Sequence, residues 1–147
     1  MKNFIITLII ILIPIKSFGL IEVDITRGNL NPLPVAVSPL SIDEESRKNF
    51  EKILKKKNIG SEISSIVENN LKVSGLFNPL NKDAFLQEPD IANLKPRFED
   101  WNLIKAQALI TGKVSYVEEK LRVEFRLWDV LAGKEMMALA FTTVPNN

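Results

Sequence analysis

Residues 106–143 read AQALITGKVSYVEEKLRVEFRLWDVLAGKEMMALAFTT, and this stretch decides the fold. From Lys120 to Trp128 apolar and polar residues alternate without a break. Leu121, Val123, Phe125 and Leu127 point one way; Arg122, Glu124 and Arg126 point the other. That period of two is the mark of a strand with one buried face. Residues 106–116 form an apolar-rich strand before it, and Gly112 there predicts a bulge or a close backbone approach. Residues 117–119 supply one turn and residues 131–133 a second. Residues 135–143 form the last strand. The carboxy-terminal third is therefore a three-stranded antiparallel meander.

Working outward, residues 21–26 (IEVDIT) also alternate at period two and predict a strand. Arg27-Gly28-Asn29 and Asn31-Pro32 then bring turn chemistry. Residues 33–39 (LPVAVSP) are a second strand, and the consecutive Val35, Ala36 and Val37 imply cover on both faces. Residues 42–58 carry acids first and lysines last, which complements a helix dipole. Ser41 or Asp43 can cap this helix. Its apolar stripe of Phe50, Ile53 and Leu54 is narrow, so a marginal surface helix is expected. Residues 61–74 form the strongest helix. Ile63, Ile66, Val67 and Leu71 line one face, Ser61 is the expected N-cap, and Gly75 stands where a C′ glycine belongs. Residues 76–80 are extended, residues 81–87 include one helical turn, and residues 96–103 form a short helix with Pro96 at its first position.

Strands at both ends and helices between them define the fold class as α/β. The expected form is a single-domain sandwich with a mixed sheet of about five strands and two main helices, preceded by a signal peptide. The chain has 147 residues, enough for one domain with a real core. Its 46% hydrophobic and 25% charged residues fit a globular chain rather than a disordered one. The net charge of +1 gives no field that would draw it to nucleic acid. The chain has no Cys and no His. Thiol nucleophiles, disulfides, Cys/His zinc sites and imidazole-based triads are thereby excluded.

Residues 1–19, MKNFIITLIIILIPIKSFG, have the three parts of a secretory leader: Lys2, an apolar run over residues 4–15, and small residues at Ser17 and Gly19. At about 1.5 Å per residue that run spans about 18 Å, short of a bilayer core of about 30 Å. A cut after Gly19 is expected, leaving residues 20–147 as the exported domain with no permanent membrane span. Lys2 and Lys16 leave with the leader and all 18 acids stay, so the net charge moves from +1 to −1.

Catalytic chemistry finds little support. The acid groups Asp43/Glu44/Glu45, Glu99/Asp100 and Glu118/Glu119 are adjacent in sequence, and adjacent acids do not face each other across a gap. Ser61, Ser64 and Ser65 have only lysines as base partners and no strained nucleophile turn. No glycine pattern cradles a phosphate. Trp101 and Trp128 read as core. No catalytic residue, metal ligand or cofactor site is expected. What stands out is the strand of residues 21–26, which a cut after Gly19 would leave beside a free terminus. One covalent tether holds it, and its backbone donors and acceptors can pair with its own sheet or with a partner's.

The sequence resembles the amino-terminal domain of the TolB family, periplasmic proteins of the Tol–Pal system of Gram-negative bacteria. The matching stretches are IEVDITRG at 21–28, PVAVSPL at 34–40, ISSIVENNLKVSGLFNPL at 63–80, PRFEDWNLIKAQALITGKV at 96–114 and RVEFRLWD at 122–129. The resemblance implies a mixed sheet with two main helices, a periplasmic site of action and no enzymatic activity. It implies a part in envelope integrity and in outer-membrane constriction during division. It also implies that Ile21, Glu22, Val23, Asp24, Ile25 and Thr26 form the recognition element for TolA and a switch element. The family's β-propeller, which forms most of its site for the lipoprotein Pal, does not follow Asn147. The expectation is thus a domain without the propeller, and Pal binding by this chain alone lacks support. A second reading remains open: an exported module for a small anionic or glycan ligand, bound by Arg122, Arg126 and Lys55–Lys56–Lys57.

Overall fold

The computed structural model describes residues 31–55, 58–89 and 95–144. Strand β1 (Leu33–Val37) leads to the two-residue β2 (Ser41–Ile42), then to helix α1 (Glu44–Leu54) and helix α2 (Ile59–Val73). Strand β3 (Phe77–Pro79) and a single 3-10 turn (Lys82–Ala84) follow, then helix α3 (Phe98–Leu103). Strands β4 (Ala108–Val117), β5 (Lys120–Asp129) and β6 (Lys134–Thr143) complete the domain. The sheet order is β3-β1-β4-β5-β6, with β2 also paired to β4. Strands β1, β2 and β3 make the parallel pairs, and β4, β5 and β6 make the antiparallel meander. This is the mixed α/β sheet the sequence implied. The strand expected over residues 21–26 lies outside the described residues.

The meander forms where local chemistry dictates. Glu118 and Glu119 both take positive φ, 51° and 61°, so the β4–β5 link is a tight two-residue turn. In the β5–β6 link the buried Asp129 carboxylate accepts the Ala132 N–H at 2.9 Å, and Gly133 supplies the left-handed residue at φ 61°. Gly112 marks a close approach and no bulge. A Cβ there would lie 2.2 Å from the Glu124 carbonyl oxygen, and the β4–β5 register runs unbroken past it. The irregularity falls instead between Leu127 and Trp128 on the β5–β6 side.

Side chains alternate between two layers. On one face α1 and α2 cover the sheet: Phe50, Ile59, Val114 and Val123 pack together, and Val35, Val37 and Ala108 sit under Val67 and Leu71. On the other face Ala36, Leu109, Trp101 and Trp128 form a second core closed by α3. Burial of Val35, Ala36 and Val37 on both sides follows directly. Each indole N–H finds a partner: Trp101 donates to Gln87 Oε1 at 2.9 Å, and Trp128 donates to Thr111 Oγ1 at 2.9 Å.

Three local expectations change. Helix α2 begins at Ile59 with Asn58 at its N-cap, so Ser61 lies in the first turn. Gly60 sets this start: a Cβ there would meet the Leu40 carbonyl oxygen at 2.2 Å, so the helix end is seated against the β1–β2 connection. Helix α3 begins at Phe98 with Arg97 at the N-cap, which puts Pro96 one residue before the helix. Helix α1 is better anchored than its narrow stripe suggested. Phe50 is fully buried, and the buried Ser46 adds a polar tie to the sheet, while Ile53 is only partly covered, at 37% exposed.

Candidate functional site

Several of the titratable groups are engaged in holding the fold. Asp43 caps α1, accepting the Ser46 N–H at 2.8 Å, and Lys113 Nζ lies 3.4 Å from its other oxygen. That backbone hydrogen bond, aided by Lys113, holds the Asp43 carboxyl below the usual carboxylate range against the opposing pull of desolvation. Glu44 faces Arg47 at 3.8 Å and Lys48 at 4.0 Å along the helix. Asp100 pairs with Arg97 at 2.8 Å. Glu118 and Glu119 occupy an exposed turn. None of these adjacent acids forms the opposed pair that acid–base chemistry needs.

The serines behave in the same way. Ser64 is fully buried and donates to the Ser61 carbonyl at 2.9 Å. Lys82 Nζ lies 3.1 Å from Ser65 Oγ and 3.5 Å from Ser64 Oγ, but its carboxylate partner Glu68 is closer, at 2.9 Å. An ammonium so paired is a latch between the 3-10 turn and α2, not a general base. Among the described residues no group of three or more Asp or Glu side chains could hold a metal ion. No described helix is long and apolar enough to cross a membrane.

The guanidinium ladder on β5 is also spoken for. Arg122 pairs with Glu124 at 2.7 Å and Arg126 with Glu135 at 2.8 Å. Lys55 sits at the left-handed C-cap of α1, and Lys56 and Lys57 lie outside the described residues. An anion would have to displace an existing acid from either arginine. Of the expected recognition residues, Ile21, Glu22, Val23, Asp24, Ile25 and Thr26 all lie outside the described residues. The described chain resumes just before β1, which enters the sheet between β3 and β4.

One surface went unremarked in the sequence. Helix α1 lies over β4, and α2 lies over β3, β1 and part of β4, so the helices sit mainly over the other end of the sheet from β6. Met137, Leu139 and Phe141 lie opposite Leu127, Phe125 and Val123, which turns them toward the helix side. They remain 51%, 48% and 57% exposed. Val67, Ile110 and Phe125 wall a shallow apolar cleft of about 250 Å³ beside them. The signal available was the run MMALAF at 136–141, apolar at consecutive positions. Such a run reads as a strand buried on both sides, whereas here it forms an open edge.

Comparison with known proteins adds the relationship. Residues 21–136 match the family model described as the TolB amino-terminal domain. The Tol-Pal system protein TolB of Pelagibacter ubique is 81% identical over 140 residues, covering 95% of this chain. The chain spans 31% of that relative's length. Among solved structures, TolB from Acinetobacter baumannii superposes with a TM-score of 0.55 at 18% identity, over 78% of this chain and 23% of that one. The LpoB carboxy-terminal domain from Salmonella enterica gives a TM-score of 0.51 at 11% identity, over 80% of this chain and 87% of that one. Both of these likenesses are of fold.

Proposed function

Because this chain belongs to the TolB amino-terminal domain family, we propose that it is a protein-interaction domain of the Tol–Pal envelope system, working in the periplasm and catalysing no reaction. Residues 1–19 direct export and are removed, and residues 20–147 form the working domain. Its contribution is to outer-membrane integrity and to constriction of that membrane during division. The observation that carries this reading is the family match over residues 21–136, which takes in residues 21–26. The engagement of Asp43, Lys82, Arg122 and Arg126 with partners inside the domain favours recognition over chemistry.

Docking of TolA is assigned to the strand of Ile21, Glu22, Val23, Asp24, Ile25 and Thr26. Its alternation gives it one apolar face and one polar face, and its backbone can add to the edge of another sheet. A single tether through residues 27–32 lets it leave its own domain at lower cost than an internal strand. The test is calorimetric titration of TolA into the exported chain with and without residues 20–27. Loss of measurable binding on deletion is expected. Unchanged affinity removes the assignment, and binding of neither form removes TolA as the partner.

A further inference from the structure

The open edge of β6 carries a further inference, independent of the recognition strand. Natural sheets guard their edges with charges, proline, bulges or short strands. Strand β6 is ten residues long, and its only charges are Lys134 and Glu135 at its start. Its one irregularity falls at that same end, and from Met137 to Thr143 the pairing with β5 is regular. Among the described residues no strand pairs with the outer edge, which presents seven uncharged residues, the N–H and C=O of alternate ones turned outward, and apolar side chains flank it on the helix side.

This edge is complementary to itself. Set two β6 strands antiparallel about a two-fold axis through Leu139. Met137 then meets Phe141 of the second copy, Leu139 meets its own counterpart, and Ala138 meets Ala140. Met137, Leu139 and Phe141 stay on the helix side of the joined sheet, and Ala138 and Ala140 stay on the other. Lys134 and Glu135 fall at the two ends, opposite Val144 and Thr143, so no like charges are brought together. An isologous contact of this kind closes on itself.

The area is sufficient and small. With whole large side chains of about 150–250 Å², the exposed parts of Met136, Met137, Leu139 and Phe141 come to about 400 Å² per copy. With the strand backbone and the alanines, a pair would bury about 1,000 Å² in total, the lower limit of specific interfaces. We propose that this chain forms a weak, closed dimer by pairing β6 with β6 of a second copy, extending one sheet across both molecules.

Sedimentation equilibrium of the chain freed of its leader, from about 1 µM to about 1 mM, tests this. A monomer–dimer equilibrium with Kd between about 1 and 100 µM is expected, as is slower exchange of the outward β6 amides at high concentration. Leu139→Lys places two ammonium groups across the axis and is expected to weaken the dimer at least about tenfold. Leu139 is half exposed, so folding survives, as far-UV circular dichroism will show. Ile66→Lys puts the same charge on an exposed part of α2 and leaves the dimer unchanged. A monomer throughout the range overturns the proposal, as does a dimer indifferent to Leu139→Lys, or growth beyond two copies. A monomer whose β6 amides gain protection only when TolA is added also overturns it and assigns the edge to that partner.

Discussion

Replacing Ser46 by Ala puts the account of α1 to a direct test. Ser46 is 3% exposed, and its Oγ accepts the Tyr116 N–H at 2.9 Å. Beyond the two residues where β2 pairs with β4, no strand among the described residues receives the amides on that side of β4. The helix supplies the missing acceptor. Ser46→Ala removes the oxygen and leaves that part-buried N–H without its acceptor, at a cost of about 1–3 kcal/mol. Alanine's better helix propensity returns about 0.5 kcal/mol. The net loss is about 1.5 kcal/mol, or about 5 °C in Tm for a domain of this size.

Ser64→Ala is the control. Ser64 is buried as deeply, but its hydroxyl only donates to the Ser61 carbonyl in its own helix, and Lys82 keeps Glu68 and Ser65 when that hydroxyl is gone. No buried donor loses an essential partner, so a change within about 0.5 kcal/mol is expected. Urea unfolding followed by circular dichroism gives both values. Amide exchange locates the effect, with Tyr116 expected to exchange about tenfold faster in Ser46→Ala. Equal losses for the two serines, or no loss at Ser46, would show that the Tyr116 amide does not depend on this acceptor.

Three further expectations follow from the same geometry. Asp43 has a lowered carboxyl pKa in the folded chain, first through the Ser46 N–H. Its contribution is therefore fully present above the unfolded value of about 3.9 and is lost as pH falls through the folded value. Asp43→Asn, which keeps a capping oxygen, is expected to flatten the acid limb of a stability-versus-pH curve. Gln87→Leu deprives both the Trp101 indole N–H and the Arg97 N–H of their acceptor and is expected to cost about 2 kcal/mol, read by urea titration of tryptophan fluorescence. Replacing Glu118-Glu119 by Asn-Gly suits the positive φ at both positions and is expected to stabilise the domain by about 1 kcal/mol in the same titration.

The sequence by itself determined the elements whose causes are local. The β4–β5–β6 meander was legible because period-two alternation and turn residues act over a few positions. Gly75, at φ 72°, closes α2 as its place in the sequence implied. The two-sided burial of Val35–Val37 and the family relationship could also be read from the sequence. Helix starts were less legible: Ser61 and Pro96 are good starting residues, but Gly60 against Leu40 and the sheet beneath decide where α2 begins. Only the tertiary structure could show that Ser46 serves a strand seventy residues away, or that Phe50 anchors α1. The same holds for β6. MMALAF has the composition of a core strand, yet burial depends on what lies across from a face. Two helices set over β1, β3 and β4 leave Met137, Leu139 and Phe141 half exposed, with Val67 of α2 reaching only the cleft beside them.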